Sequence, residues 1–386
     1  MRRSIRIQPV RDRKEWRDFY AVPESIQGPD PCWIKPLHLE RKALWSRGNP
    51  WFAHASAAAF LAYRGGSAVG RISAQVDHLQ PPHEGRKLGY FGQFECRNEP
   101  EVAALLLDHA AAWVRRHGCG YLRGPFDLGI NQACGLLVEG QETPPMLMMG
   151  HAPAYYQKLL LGSGMQPEMD LLAYLLPPDF NAPPAMQRLL KRSSERIRFR
   201  PMSFKDFGTD LERLRDVFND AWAGNWGFVP LTAEEFRYMG KEMRKILKPE
   251  YTCVAEINAT AVGFIVALPN LNELIADLDG RLFPVGWVKL LWRLARQRAQ
   301  SARVPLMGVR QAYQRGPTGS AISFGLIDRV RHALHVDGID RVEVSWILET
   351  NQGMNAMIKA MGGHLYKRYR LFGRVVEGPG GHERKN

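Results

Sequence analysis

The feature of this sequence that most constrains its fold is a repeat at long spacing. Residues 5–10 (IRIQPV), followed by a helical stretch, match residues 197–202 (IRFRPM) and the helix after them, at an offset of 192 (197 minus 5). Residues 68–70 (AVG) lead into an alternating run, as do residues 261–263 (AVG), at an offset of 193 (261 minus 68). Two matches at one spacing indicate a duplicated domain.

A proline-rich segment separates the two copies. Residues 177–184 read PPDFNAPP, and these prolines cannot continue a helix or an inner strand. A chain of 386 residues is also long enough to form two cores. The predicted parts are a domain over 1–176, a linker over 177–196, a second domain over 197–374 and a flexible tail over 375–386.

Both halves alternate strands with helices, which predicts the α/β class with a mixed sheet in each domain. In the second half we predict strands over 198–201, 252–257, 262–268, 306–309, 342–347 and 365–372. The predicted helices of that half cover 211–218, 232–247, 322–334 and 354–361.

The composition implies an anionic partner in a cytoplasmic setting. A formal net charge of +13 suits nucleic acid, an anionic membrane surface or a phosphorylated cofactor such as coenzyme A. The five cysteines form no Cys-x-x-Cys pair and the histidines lack a metal-ligand spacing, so we expect reduced thiols and no metal. Neither a secretory signal nor a run of about 20 apolar residues is present, so we expect a cytoplasmic protein.

A glycine-rich segment follows the strand predicted over 306–309. Residues 310–321 read RQAYQRGPTGSA and lead into an amphipathic helix. A turn between a strand and a helix N-terminus offers unpaired N–H groups and a partial positive charge, which suit a pyrophosphate. Arg315 and Gln314 add possible donors. The alternative is an ordinary strand-to-helix turn.

This order of elements, together with the loop, resembles the GNAT superfamily of acyltransferases. The acyl-CoA loop of that superfamily reads Gln/Arg-x-x-Gly-x-Gly/Ala, whereas residues 314–319 (QRGPTG) have Pro317 at the middle glycine. Residues 346–351 (WILETN) and 366–370 (YKRYR) resemble its closing region, in which an asparagine contacts the cofactor. The resemblance implies acyl-CoA as co-substrate, bound by Val309, Arg310, Gln311, Gln314, Arg315, Gly316, Thr318, Gly319, Ser320, Ala321 and Asn351.

The equivalent junction in the first half differs in charge. Residues 89–98 (GYFGQFECRN) lead into a helix that opens with Glu99, Pro100 and Glu101. Two carboxylates at a helix start repel a pyrophosphate. We therefore predict that the first domain is a degenerate GNAT-like domain that serves as a scaffold or as a wall of the acceptor site.

Short strings along nearly the whole chain resemble a tandem-GNAT family that includes bacterial ceramide synthases. They are residues 30–33 (DPCW), 49–52 (NPWF), 70–72 (GRI), 124–125 (GP), 134–137 (CGLL), 155–156 (YY), 225–230 (NWGFVP) and 268–270 (LPN). The resemblance implies transfer of a long-chain acyl group from acyl-CoA or acyl carrier protein to the amine of a sphingoid base. It also implies that Asn225, Trp226, Tyr155 and Tyr156 contact the substrate, although the aromatic ones also suit a core.

Amide formation from a thioester needs a base, donors for the oxyanion and an acid for the thiolate. The resemblance implies oxyanion donors among the backbone N–H groups of residues 308–311. Our candidate base is Glu349, with Tyr366 or Tyr313 as the acid. Glu343 is a second carboxylate beside the same strand, and a carboxylate at a strand end is often only solvated.

The 36 residues from 269 to 304 (304 minus 269 plus 1) form an insertion where a GNAT domain has a short hairpin. Long insertions in compact domains tend to be functional. A helix there has an apolar side (Trp287, Val288, Leu291, Leu294 and Ala295) and a cationic side (Lys289, Arg293 and Arg296). This pattern fits a helix on an anionic membrane surface, a lid over a lipid chain, or a plain surface helix. The first predicts peripheral binding at the inner face of the cytoplasmic membrane.

Two other functions fit the same features. A tRNA-dependent aminoacyl transferase also pairs two GNAT domains, and a lipid- or protein-binding module needs no catalytic group. Nucleotide hydrolysis is disfavoured because no Gly-x-x-x-x-Gly-Lys-Ser/Thr loop is present. We favour the acyl-thioester donor, and nucleic acid is not an expected partner.

Overall fold

The fold is described from a computed structural model that covers residues 4–180, 184–193, 196–296 and 298–376. The chain divides into two compact units. The first unit holds the residues up to Lys35, Trp51–Leu171 and the residues from Lys367, and the second holds Pro36–Pro50 and Leu172–Tyr366. Most of the predicted tail, and parts of the predicted linker, lie outside the described residues.

Among the described residues before the proline-rich segment, the chain forms seven strands and four α-helices. In order, they are β1 (Ile5–Pro9), α1 (Arg13–Gln27), α2 (His38–Leu44), β2 (Ala55–Arg64), β3 (Ser67–Asp77), β4 (Leu88–Cys96), α3 (Pro100–Arg116), β5 (Tyr121–Gly124), β6 (Leu136–Glu139), α4 (Tyr156–Gly162) and β7 (Gln166–Leu176).

Eight helices and six strands follow among the described residues. They are α5 (Pro184–Ser193), β8 (Arg198–Arg200), α6 (Phe207–Trp222), α7 (Ala233–Arg244), β9 (Thr252–Ile257), β10 (Thr260–Pro269), α8 (Leu271–Ile275), α9 (Gly286–Ala295), β11 (Ser301–Val309), α10 (Gln311–Gln314), α11 (Gly316–Val336), β12 (Arg341–Leu348), α12 (Gln352–Ala360) and β13 (His364–Val375).

The repeat in the sequence is a repeat of topology. In the first unit β1, β2, β3 and β4 pair antiparallel in order, and β4 pairs parallel with β5. In the second unit β8 to β11 pair in the same antiparallel way, and β11 pairs parallel with β12. Even single bonds recur, since Arg97 N–H donates to the Val69 carbonyl and Arg310 N–H donates to the Val262 carbonyl. The predicted α/β class with mixed sheets is confirmed.

The last strand, β13, crosses from one unit to the other. Its residues from Lys367 belong to the first unit, where they pair antiparallel with β5 and β6. Strand β7 also crosses, because the units divide between Leu171 and Leu172. The predicted domain bounds remain a prediction, and they differ from this division in assigning residues 367–374 to the second domain and Pro36–Pro50 and residues 172–176 to the first.

The core of the second unit explains the longest helix. Ile322, Leu326, Val330 and Leu334 of α11 are buried, and their spacing of four residues forms one apolar face. Gly325 lies beneath the Phe199 ring, where a Cβ would come within 2.1 Å of Cζ. The helix is therefore held against β8 and the sheet along its whole length.

The predicted start of the longest helix was wrong. The helix predicted over 322–334 begins at Gly316, so the glycine-rich turn is already its first turns. The predicted linker contains α5, in which Met186 is buried and Leu189 packs against the core of the second unit. Proline suits the first turn of a helix, and both helices have one there, Pro184 in α5 and Pro317 in α11.

A buried ion-pair network joins β8 to α6. Arg200 donates to both oxygens of Asp210 at 2.7 Å and to Glu256 at 2.8 Å, and the Ser203 N–H also donates to Asp210. Burial alone would raise the pKa of Asp210, but these hydrogen bonds outweigh it and hold the pKa below its usual value. The charged form of Asp210 therefore stabilises the fold.

We expect Asp210→Asn to destabilise the protein by about 3 kcal/mol at neutral pH, because the variant breaks the ion pair between the half-buried Arg200 and the buried Asp210 and leaves Arg200 with Glu256 alone. A carboxylate with a lowered pKa stabilises above its unfolded pKa, near 4, and loses that contribution as the pH falls through the folded value. Urea unfolding at pH 7 and at pH 3 measures both effects. The difference in the free energy of unfolding between parent and variant should be smaller at pH 3 than at pH 7. An equal difference at both pH values would contradict this account.

Candidate active site

The centre of the second unit's sheet opens between two neighbouring strands. Strands β11 and β12 pair from Ser301–Arg341 to Val304–Val344, and among the described residues their pairing ends there. Strand β11 nevertheless runs on to Val309 and β12 runs on to Leu348. At the same level, the pairing of β11 with β10 contains a bulge between Val266 and Leu268. The two strands therefore separate towards their carboxyl ends.

The register of β11 directs two backbone N–H groups into this opening. Arg310 N–H donates to the Val262 carbonyl at 2.8 Å, which makes this an exchanging pair of the antiparallel ladder. Because such pairs alternate, the N–H groups of Val309 and Met307 point away from β10. The carbonyl of Met307 points to the same side as its N–H, and it accepts a hydrogen bond from the Trp222 indole at 3.2 Å, outside the ladder with β10. Two donors of one strand thus line the opening.

Helix α10 ties the end of β11 to α6. Gln311 donates its backbone N–H to Asp220 at 2.8 Å and its side-chain amide to the Asp220 carbonyl at 2.9 Å. The Gln314 side chain donates to the carbonyls of Ala221 and Val309. The Arg310 guanidinium donates to the Ala261 carbonyl at 2.9 Å. Arg310, Gln311 and Gln314, which we predicted to bind phosphate, therefore use hydrogen-bond donors to position the loop.

The remaining predicted ligands form the first turns of α11. Arg315 is its N-cap residue, and the exposed residues Thr318 and Ser320 surround the helix start. Gly319 is buried, and a Cβ there would lie 2.0 Å from the Tyr313 carbonyl oxygen. Ala321 is buried in the core. The available groups are thus the helix N-terminus, the exposed Arg315 and two hydroxyls.

The same opening in the first unit is closed by the chain itself. Phe126 N–H donates to the Phe91 carbonyl at 2.9 Å, and a Cβ on Gly92 would lie 1.6 Å from the Phe126 oxygen. Cys96, which corresponds to Val309, donates its N–H to the Tyr156 hydroxyl at 3.1 Å. At the helix start, Glu99 and Glu101 are ion-paired with Arg64.

Tyr155 and Tyr156, which we predicted to contact substrate, belong to this closure. Tyr156 is 1% exposed and also donates to the buried Glu95 at 2.7 Å. Tyr155 donates to the Cys96 carbonyl at 2.9 Å, and burial raises its pKa to about 12. The Tyr156 hydroxyl thus accepts the hydrogen bond of the Cys96 N–H. The corresponding N–H group in the second unit, that of Val309, points into the opening. We assign both residues to closing the first unit's opening.

The three predicted catalytic residues have different surroundings. Tyr366 donates its hydroxyl hydrogen to Glu343. Glu343 is fully buried and ion-paired with Arg303, and Ser345 donates to it as well. Glu349 is exposed just beyond β12. Tyr313 is partly buried against the core of the second unit.

Asn351 and the α6 end complete the surroundings. Asn351 caps α12, because its side-chain oxygen accepts the Met354 N–H at 3.1 Å. Asn225 is half-buried, and its backbone makes the turn after α6, as does that of Trp222. Trp226, half-buried too, lies in the same turn. Trp222 meets Trp346 of β12 edge to face at 5.9 Å.

An apolar cleft lies between α11 and α12 in the second unit. It encloses about 540 Å³, counting its open mouth, and its walls include Val304 and Val344, the last pair before β11 and β12 separate. Four methionines also line it: Met307, Met354, Met357 and Met361. Methionine adapts to irregular apolar shapes. Arg331, at its edge, is ion-paired with Asp328.

Sequence reasoning missed several residues of this site. The pair of Arg303 with Glu343 becomes visible only when β11 and β12 are aligned, because each residue alone resembles a surface charge. Asp220 and Trp222 lie at the end of α6, where no motif marks them. The available signal was a charged residue inside each of two apolar strand runs, since such residues are seldom buried unless paired.

Two features bear on metals and membranes. The described part of the chain contains no group of three His, Cys, Asp or Glu side chains that could hold a metal ion. In the same residues, no helix has the length and apolarity of a membrane-spanning segment.

The chain is similar to two bacterial proteins over nearly its whole length, although no protein-family model matches it. It is 41% identical over 366 residues to Protein YghO of Escherichia coli (strain K12), which covers 95% of this chain and 94% of that protein. It is 40% identical over 376 residues to the bacterial ceramide synthase of Caulobacter vibrioides, with 97% and 98% covered.

Solved structures share the fold at low identity. A tandem GNAT protein from the clavulanic acid biosynthesis pathway has a TM-score of 0.58 and 11% identity, with 98% of this chain and 100% of that chain covered. A GCN5-related glucosamine N-acetyltransferase region of a fungal enzyme has a TM-score of 0.56 and 14% identity, with 97% and 38% covered. The chain therefore belongs to the tandem GNAT-fold acyltransferase family that includes the bacterial ceramide synthase, and it is an acyltransferase.

Proposed function

We propose that this protein transfers a long-chain acyl group from acyl-CoA to the amine of a sphingoid base, which gives a ceramide-type amide in bacterial sphingolipid synthesis. The observation that carries the proposal is the opening between β11 and β12, with the N–H groups of Met307 and Val309 directed into it. The similarity to a bacterial ceramide synthase supports the acceptor and the long chain.

The donor site is proposed at the start of α11. The helix N-terminus favours an anion, and Arg315, Thr318 and Ser320 add a cation and two hydroxyls. Arg310, Gln311 and Gln314 hold the loop in place through Ala261, Asp220 and Ala221. Since the corresponding N-cap of the first unit is Glu99, the second unit is the better anion site. An acyl carrier protein would present the same thioester.

The chemistry needs oxyanion donors, a base and an acid. The N–H groups of Met307 and Val309 are fixed by the ladder with β10, so they stabilise a developing oxyanion without rearranging. Glu349 is the exposed carboxylate at the end of β12, and we propose that it takes the amine proton directly or through water. Tyr366 already donates to Glu343, which favours Tyr313 of the two acid candidates.

The apolar cleft is proposed to hold the acyl chain. It begins at Val304 and Val344, where the strands separate, so an acyl chain that enters the opening finds apolar walls directly beside it. Burial of a methylene contributes about 0.8 kcal/mol. A sphingoid base is membrane-borne, so we further propose that the protein is cytoplasmic and works at the inner face of the cytoplasmic membrane.

The first test is the product. A host that expresses this protein with a supply of sphingoid base is expected to accumulate N-acylated base, measured by lipid mass spectrometry, and purified protein should form it from acyl-CoA. If the protein instead transferred an aminoacyl group from charged tRNA and made no amide from acyl-CoA, the proposal would be wrong.

The second test is the donor site. Arg315→Glu is expected to weaken CoA binding in calorimetry roughly tenfold or more, because a charge-assisted hydrogen bond is lost and repulsion is added. Arg198→Glu makes the same charge change on an exposed residue of β8 and should bind CoA as the parent does. Equal binding by both variants would move the donor site elsewhere.

The third test is chain length. Met354→Trp fills part of the cleft at a half-buried position, and each methylene that it displaces should cost about 0.8 kcal/mol. Turnover of a long-chain donor is expected to fall about tenfold for two displaced methylenes, while a short-chain donor is unaffected. Met354→Leu, of similar volume, is the control. An equal loss with both donors would argue against a chain in this cleft.

A further inference from the structure

Exposed apolar side chains of the second unit are concentrated in one short segment. Of thirteen large hydrophobic side chains that are exposed in the described residues, six lie within ten positions. We call these six the apolar patch: Phe283, Val285, Trp287, Val288, Leu291 and Trp292. Phe283 and Val285 are 71% and 70% exposed. Single exposed apolar residues are ordinary, but a contiguous group marks an interaction surface.

The fold holds the patch outwards. Helix α9 packs on the core of the second unit through Leu290 and Leu294, which are partly buried. Its first residue, Gly286, is buried so closely against Arg281 that a Cβ would lie 2.5 Å from that carbonyl oxygen. One side of α9 is thus anchored to the core, and the exposed side is left with the apolar patch.

Two of the predicted cations point to the protein. Lys289 and Arg293 are both ion-paired with Asp277, and Arg293 does so through two bonds of 2.6 and 2.9 Å. These bonds lower the pKa of Asp277, so it stays ionised. Lys289 and Arg293 of the predicted cationic side therefore share Asp277 as an ion-pair partner, and the contact of that side with a membrane remains a prediction.

The cations that flank the patch are Arg296 and Arg298. Both are exposed, and their guanidinium carbons lie 5.5 and 4.9 Å from the ring centroid of Trp292. Arg281 is exposed at the other end of the segment. No acidic residue occurs in the sequence from 281 to 303. Within this segment the charged side chains are therefore all basic, and the acidic Asp277 beside it is paired with Lys289 and Arg293.

We propose that the apolar patch is a membrane-docking surface for a bilayer that contains anionic lipid. The large side chains enter the interface between headgroups and acyl chains, where tryptophan is favoured. Arg296 and Arg298 meet the lipid phosphates beside them. The positive charge favours an anionic lipid surface over a neutral one or a basic protein. The proposed function supplies a reason for docking, because its acceptor is a lipid, but the surface stands on its own contacts.

The test is co-sedimentation with vesicles of phosphatidylcholine, with and without phosphatidylglycerol, in the absence of acyl-CoA and sphingoid base. The parent is expected to bind the anionic vesicles more tightly than the neutral ones. Phe283→Ser/Leu291→Ser should weaken binding about a hundredfold, because two large apolar side chains leave the interface. Arg296→Gln/Arg298→Gln should weaken binding to anionic vesicles roughly thirtyfold.

Two controls make the same chemical changes elsewhere. Leu161→Ser/Val336→Ser removes two exposed apolar side chains outside the patch and should bind as the parent does. Lys289→Gln removes a cation that is paired with Asp277 and should change binding only slightly. Circular dichroism checks that every variant is folded.

Three outcomes would overturn the proposal: equal binding by the patch variant and the parent, no binding by the parent, or a patch that instead mediates self-association in size-exclusion chromatography. Acyl transfer to an acceptor in detergent micelles is measured separately. It should be unchanged in the patch variant. If the parent shows no acyl transfer in micelles, that result would count against the proposed function. The vesicle experiment would still decide whether the apolar patch docks on a membrane.

Discussion

The end of the pairing between β11 and β12 at Val304 and Val344 is the constraint on which the candidate site depends. A strand that loses one neighbour but keeps the other retains its direction, so its outward N–H groups stay fixed. Such donors need no reorganisation when charge develops beside them. The short helix α10, tied to Asp220 and Ala221, then sets the start of α11 directly after the same strand. Backbone geometry therefore carries more of the proposed site than side chains do.

The two repeats share one arrangement of strands, but the opening beside the fourth strand is closed in the first unit and not in the second. Each unit has four antiparallel strands, a parallel fifth strand and a helix after the fourth strand. In the first unit, Phe126 and Tyr156 satisfy the backbone groups that the opening would expose, and an acidic N-cap begins α3. A buried backbone group without a partner is costly, so filling the opening with the chain's own groups stabilises the first unit.

The sequence predicted the class, the repeat and most elements of the second half, because apolar periodicity and spacing are local signals. Register is not local. The pairing of Arg303 with Glu343, the inward donors of β11 and the closure by Tyr156 all depend on which residues lie opposite each other across strands. The charges of α9 show the same limit: helical spacing placed Lys289 and Arg293 on a polar side, but only Asp277, from outside the helix, decides which way they point.

Strand β13 has a consequence for how the protein reaches its native state. The first unit's sheet contains Tyr121–Gly124 of β5 beside the residues of β13 from Phe372 to Val375, so one neighbour of an early strand follows the whole second repeat in the chain. During synthesis the first unit can form its β1 to β5 ladder, but β5 keeps an open edge until the whole second repeat has been translated. Open edges invite wrong partners, and contacts this far apart in sequence form slowly. The order of folding is thereby linked to the translation of β13.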